Sequence, residues 1–199
     1  MTRKLDPSSP PTLQQIAKTF RITGWTSLWA QIVLTIVSSG ILIVAAFSSR
    51  NPVPNPATPG IPAPAPAPNP SSGAGGFFTF CAILALFFTI YWSFRYVLIG
   101  RQLRRDVAVR PKRSETIQVL QTGLLASLAG MLLALLGTFA IVGTLAVIAF
   151  RQAPGFVGSS FSQFVNSLDI LVVQASIMLI LAHFFGTIGS LWLLNRISR

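Results

Sequence analysis

Four long runs of apolar residues, nearly free of charge, constrain the fold of this chain more than any other feature. They cover residues 25–48, 77–99, 117–150 and 168–194. Each exceeds the roughly 20 helical residues needed to cross a hydrocarbon core about 30 Å thick, and each is far longer than a membrane barrel strand of about 10 residues. Because only helices and closed barrels satisfy their backbone groups in lipid, the sequence predicts an all-α integral membrane protein with four transmembrane helices.

The composition excludes a soluble domain and argues against an enzyme. Hydrophobic residues make up 52% of the 199 residues and charged residues 10%, so the runs lack the polar face that a soluble helix needs. No phosphate-binding glycine loop, nucleophile elbow or paired-histidine metal motif is present, and only four residues are acidic. We therefore expect no enzymatic activity and no cofactor. Cys81 is the only cysteine, which rules out an intramolecular disulfide and a thiolate cluster.

The distribution of basic residues predicts the orientation. Of the 15 Lys and Arg residues, 13 precede the first run, surround the second connection or follow the last run, whereas the other connections carry only Arg50 and Arg151. By the positive-inside rule, both termini and the basic loop face the cytoplasm or its equivalent. The loop should be attracted to anionic lipid, although a docked partner is an alternative; no base-reading module suggests nucleic acid. Its basic residues are Arg101, Arg104, Arg105, Arg110, Lys112 and Arg113.

Two segments outside the runs have patterns of their own. Thr12 and Gln15 form a capping box, and apolar residues then recur at helical spacing, which predicts a short amphipathic helix over 12–22 in the membrane interface. It serves as a surface anchor or, alternatively, binds a partner.

Nine prolines between Asn51 and Pro70 predict an extended spacer outside the membrane. The resulting division is an N-terminal segment 1–24, the four runs, a proline-rich loop 49–76, a basic loop 100–116, a loop 151–167 and a tail 195–199.

The third run is too long for a perpendicular crossing. A helix over its 34 residues would measure about 51 Å, so we expect it either to project from one face or to break near Gly137 or Gly143. Gly123, Gly130 and Gly137 recur every seven residues. Such a stripe lets another helix approach closely, which predicts a packing seam.

The fourth run carries a matching stripe. Asp169, Ser176, His183 and Ser190 are seven residues apart, so they share one helix face. We expect that face to point inward, with Ser176 and Ser190 in the seam against the glycines of the third run. Asp169 belongs to the outer half of the membrane, and His183 lies about 21 Å further in.

The polar residues of the fourth run have structural as well as functional interpretations. Asp169 caps the N-terminus of its helix or handles ions or protons. His183 makes a hydrogen bond across helices or takes part in function, since ionisable groups within spans are rare and costly. Gln174 is equally consistent with interhelical bonding and with a ligand role.

The chain also resembles a known family. The stretch LDILVVQASIMLILAHFFGTIGSLWLL over Leu168–Leu194, with WSFRY at Trp92–Tyr96 and LRR at Leu103–Arg105, is similar to a cyanobacterial and plastid family of four-span proteins. That family includes a chloroplast inner-envelope protein assigned both as an iron permease and as a subunit of the protein-import translocon. The resemblance implies stroma-facing or cytoplasm-facing termini. Without a transit peptide before Trp25, we expect a bacterial member in the plasma or thylakoid membrane of a cyanobacterium-like organism.

Two functions follow from the resemblance. In the first, which the resemblance favours, the chain is a permease subunit for iron or another divalent metal, with Asp169, Gln174 and His183 as metal ligands along the path. The scarcity of ligands then requires several identical subunits or a membrane complex. In the second, it is an accessory or scaffold subunit for protein translocation or for assembly of photosynthetic complexes, without transport.

Overall fold

The computed structural model describes residues 13–50, 73–103, 112–152 and 167–198, which form four α-helices. They are α1 (Leu13–Arg50), α2 (Ala74–Gln102), α3 (Arg113–Gln152) and α4 (Ser167–Ser198). The proline-rich spacer, most of the basic loop and most of the loop 151–167 lie outside the described residues, so the predictions made for them stay predictions.

All four helices are long and apolar enough to cross a membrane. The candidate spans are Gln15–Ser48, Ala74–Gln102, Arg113–Val147 and Leu168–Ile197. Between 22% and 33% of the most apolar stretch of each span is buried inside the chain, so most of each helix surface faces outward, where lipid tolerates apolar side chains. The prediction of an all-helical, four-span membrane protein is confirmed.

A separate interfacial helix over 12–22 is not supported. Residues 13–22 form the first turns of α1, which continues without interruption to Arg50. Ala17 and Phe20 are fully buried, and Phe20 packs in a cluster with Tyr96 and Leu193. The apolar side of this segment therefore contacts the protein's own helices, which removes the reason for it to lie along the membrane surface.

Helix α3 is a single helix of 40 residues that passes through Gly137 and Gly143 without a break. At 1.5 Å per residue it is about 60 Å long, twice the hydrocarbon thickness. The sequence left two alternatives for this helix, a break near Gly137 or Gly143 or a projection from one face. The break is wrong. The excess length has to be taken up by tilting or by projection beyond the hydrocarbon.

The chain forms two compact units, each built from segments of all four helices. The first consists of the described residues within Met1–Ile32, Ala85–Ala129 and Ala182–Arg199, and the second of those within Val33–Leu84 and Gly130–Leu181. Each unit has its own core. Phe20, Tyr96, Ile99, Leu120 and Leu193 form that of the first unit; Ala45, Ile141 and Val172 form that of the second.

In the second unit, α2 and α3 approach closely at a glycine. A Cβ atom on Gly137 would lie 2.7 Å from the Oγ1 of Thr79 and 3.0 Å from its backbone nitrogen. The Thr79 hydroxyl is held in turn by donating to the carbonyl of Gly75 at 2.8 Å. Gly143, six residues further along α3, has no atom within 4 Å of its Cβ position. The two glycines therefore differ in packing although they share a helix.

Replacing these two glycines by alanine should have opposite effects on stability. Gly137→Ala forces the backbone of α2 away and should lower the free energy of unfolding by about 1–3 kcal/mol. Gly143→Ala meets open space and should raise it by up to about 1 kcal/mol through helix propensity. Unfolding of the full chain in detergent micelles, followed by circular dichroism, measures both; equal effects of the two substitutions would contradict the packing described.

Candidate functional site

The three predicted metal ligands occupy different environments along α4. Asp169 is half-buried in the first turn, Gln174 is exposed, and His183 is fully buried. Gln174 and His183 are nine residues apart, which on an α-helix is about 900°, so they point to opposite sides of α4. Among the described residues, no group of three or more His, Cys, Asp or Glu side chains is placed to hold a metal ion. The metal-binding role of these three residues stays a prediction.

All five predicted seam residues are buried, namely Gly123, Gly130, Gly137, Ser176 and Ser190. The α3 glycines were expected to face α4, but the atoms nearest to two of them belong to α2. Gly123 lies against Tyr96 and Gly137 against Thr79, both on α2. A stripe defines the inward face of a helix, but in a four-helix arrangement such a face meets two neighbours.

The basic residues next to the second connection are partly described. Arg101, Lys112 and Arg113 are exposed, and the Arg113 guanidinium donates a hydrogen bond to the carbonyl of Ile197 at 2.7 Å. This bond satisfies a backbone carbonyl at the C-terminal end of α4, where helix carbonyls lack intrahelical partners. The remaining members of the predicted surface, Arg104, Arg105 and Arg110, lie outside the described residues.

The most polar part of the interior is a layer in the first unit to which every helix contributes. It consists of Gln31 from α1, Ser93 from α2, Ser127 from α3 and Gly186 from α4, and we call it the polar layer. The three side chains are at most 2% exposed. The Ser93 hydroxyl donates to the Oε1 of Gln31 at 3.0 Å. This bond joins α1 and α2 inside the first unit.

Gly186 closes the layer. A Cβ atom at this position would overlap the Nε2 of Gln31 and would lie 2.8 Å from the Oγ of Ser127. His183 lies three residues earlier on the same helix, and its side chain is fully buried. The backbone carbonyl of His183 accepts a hydrogen bond from the Thr187 hydroxyl at 3.0 Å. The space beside Gly186 therefore holds an amide and a hydroxyl, and a methyl group there would displace them.

A second polar contact lies one turn further along α4. Ser190 donates to the carbonyl of Gly186 at 2.9 Å, which uses its single hydroxyl proton. The Tyr96 hydroxyl, 2.9 Å from the Ser190 oxygen, must then be the donor in that pair. The same phenol fills the space above Gly123, where a Cβ atom would overlap it. Tyr96 thereby ties α2 to α3 and α4 at one point.

Helices α1 and α4 are joined by a further hydroxyl. Ser27 donates to the carbonyl of Phe185 at 3.2 Å, and a Cβ atom on Gly189 would lie 3.1 Å from the Ser27 oxygen. Here too, a close approach of two helices at a glycine coincides with a hydrogen bond from a hydroxyl group. Interhelical hydrogen bonds in membrane proteins contribute on average about 0.6 kcal/mol each, so this set specifies neighbours and register as much as it adds stability.

These features define a class: a helical membrane protein of four spans whose inner contacts are made by small residues and buried hydrogen bonds. A family model described as a protein of unknown function (DUF3611) matches residues 10–198, and the chain belongs to that family. It is also 32% identical over 193 residues to Protein TIC 21, chloroplastic, from Arabidopsis thaliana. The match covers 94% of this chain and 59% of the relative, so the chain spans less than two thirds of the relative's length. The family relationship expected from the sequence is confirmed. No solved structure matches.

The bond between Tyr96 and Ser190 should be measurable by a double-mutant cycle. Tyr96→Phe and Ser190→Ala each remove one partner, so the double variant should be less destabilised than the sum of the single variants. We expect a coupling free energy of about 0.6–1.7 kcal/mol. Tyr91→Phe is the matched control because its ring is exposed, and it should show no coupling to Ser190→Ala. Unfolding in micelles supplies all the values.

Gly186→Ala should disturb the polar layer. The added methyl group displaces the Gln31 amide and should lower the free energy of unfolding by about 1–3 kcal/mol. Gly40→Ala is the control, since no atom lies within 4 Å of that Cβ position. Amide hydrogen exchange should show faster exchange in the first unit for Gly186→Ala and wild-type exchange for Gly40→Ala. Unchanged protection in Gly186→Ala would argue against a closed layer.

Proposed function

We propose that this chain is a non-enzymatic membrane subunit that acts as a scaffold or accessory component of a larger membrane complex. The observation that carries the proposal is the closed polar layer: Gln31, Ser93 and Ser127 are at most 2% exposed, and a methyl group on Gly186 would displace the Gln31 amide and the Ser127 hydroxyl. These two groups fill the space that an ion passing Gly186 would have to occupy.

The chemistry of the layer points the same way. Its side chains are an amide and two hydroxyls, all neutral, whereas divalent cations prefer carboxylates, imidazoles or thiolates, according to the metal. Neutral groups that hydrogen-bond to one another are the usual means of joining helices in lipid. The layer is therefore better suited to holding four helices together than to stripping water from an ion.

The aromatic and basic residues of the first unit support the proposed orientation. All four tryptophans belong to this unit, as do both tyrosines. Its described part carries a single acidic residue, Glu115, against a larger set of cations. Tryptophan, tyrosine and basic residues concentrate at membrane interfaces, and basic residues face the cytoplasm. The cations are Lys18, Arg21, Arg95, Arg101, Lys112, Arg113 and Arg196.

In this proposal both termini face the cytoplasm, in the plasma or thylakoid membrane of a cyanobacterium-like organism. The partners are further copies of this chain or other membrane proteins. Support comes from the outward surface: the second helix alone presents Phe77, Phe80, Phe87 and Phe94, each at least 46% exposed. Such a surface is compatible with lipid and with helices of other subunits. The similarity to a protein named TIC 21, chloroplastic is consistent with both functions that the family resemblance implies.

The second candidate is a permease subunit for iron or another divalent metal. The observation that favours it is His183, an ionisable side chain that is fully buried within a membrane span. Ionisable residues in such positions commonly belong to ion or proton pathways. This function requires a conformation in which the layer opens, together with ligands contributed by more than one subunit.

One pair of measurements separates the two functions. The purified full chain in liposomes should take up no labelled ferrous iron above empty liposomes. The same chain, extracted from its native membrane in mild detergent, should migrate in an assembly much larger than a single 21.4 kDa chain. Saturable uptake that is lost in His183→Ala and Asp169→Asn, with both variants folded, would overturn the scaffold in favour of the permease. A monomeric particle without uptake would contradict both functions.

A further inference from the structure

Arg95 is a charged residue within a membrane span. It belongs to the span Ala74–Gln102 and lies seven residues before the end of α2, which is about 10 Å along the helix axis. Its side chain is half-buried. A guanidinium is charged at all relevant pH values and carries five N–H donors, so at this depth it requires an acceptor.

The Arg95 guanidinium is held in place by an aromatic ring. Its carbon lies 5.4 Å from the centre of the Trp92 ring, within the range of a cation–π contact. The Trp92 ring is itself supported by edge contacts with Phe88 and Tyr91, at centroid distances of 5.7 and 5.9 Å. The Cβ atom of Trp92 faces α3, since a Cβ atom on Gly123 would lie 3.4 Å from it. The cation therefore rests on a ring that is anchored in the protein.

The ring does not satisfy the donors of Arg95. Within residues 13–50, 73–103, 112–152 and 167–198, no oxygen accepts a hydrogen bond from this side chain and no carboxylate pairs with it. The one carboxylate of the described first unit, Glu115, is exposed in the first turn of α3. An acceptor has to come from outside this part of the chain.

We propose that Arg95, seated on Trp92, binds the phosphate of an anionic lipid head group. A phosphate offers two oxygens to the planar fork of a guanidinium, which gives a bidentate, charge-assisted contact. The charge of the unit is complementary, because its described cations outnumber its carboxylate. The neighbouring side chains Tyr91 and Phe94 are 54% and 46% exposed, and they provide an apolar surface for the acyl chains. The site is distinct from the polar layer and does not depend on the scaffold role.

The test compares two arginines of the first unit. Arg95→Gln removes the proposed site, and Arg21→Gln removes an exposed charge on α1 that makes no described ring contact. The full chain in detergent is titrated with phosphatidylglycerol or phosphatidylcholine, and retained lipid is counted by native mass spectrometry. Thermal unfolding confirms that each variant is folded.

We expect wild type to retain one phosphatidylglycerol in preference to phosphatidylcholine. Arg95→Gln should weaken its binding at least about tenfold, the order expected for a lost bidentate contact, and Arg21→Gln less than about threefold. Trp92→Phe, which keeps the charge and weakens the cation–π contact, should fall between these values. Equal losses in the two arginine variants, or wild-type retention in Arg95→Gln, would overturn the site. Displacement of the lipid by millimolar inorganic phosphate would show that the guanidinium takes free phosphate instead.

Discussion

The architecture depends on how helices associate once they are in lipid. Burial of apolar surface provides little driving force there, because lipid tails are as apolar as leucine. What remains is close backbone approach and hydrogen bonds between helices. In the first unit these two occur at the same places: Gly186 beside Gln31 and Ser127, Gly123 beneath Tyr96, and Gly189 beside Ser27. Each glycine supplies the space that a polar side chain from another helix fills.

The fold class was accessible from the sequence because it rests on length and composition. Runs of more than 20 apolar residues have few alternatives in a folded protein, and the seven-residue spacing on α4 placed Ser176, His183 and Ser190 on one face; each is at most 2% exposed. The separate N-terminal helix is not supported, for an identifiable reason. An amphipathic pattern has the same appearance whether its apolar side meets lipid or, as with Phe20, another helix.

The polar layer was harder to foresee, although a signal was present. Ser27, Gln31, Thr35 and Ser38 recur at intervals of four, four and three on α1, the spacing of one helix face, and all are buried. The ionisable residues of α4 are the more conspicuous signal in the sequence. The sequence also does not specify which helices are neighbours, since the inward stripe of α3 is equally compatible with α2 and α4. That choice depends on side-chain shape, as in the fit of the Tyr96 phenol over Gly123.

The uneven distribution of tryptophan has a spectroscopic consequence. Trp25, Trp29, Trp92 and Trp192 all belong to the first unit, and Trp25 and Trp29 pack edge to face with ring centroids 5.9 Å apart. Intrinsic tryptophan fluorescence of this protein therefore originates in the first unit. The second unit holds no tryptophan and contributes no tryptophan fluorescence. A single Phe80→Trp substitution on the exposed face of α2 would add emission from the second unit, and the difference between the variant and the wild type would report on that unit.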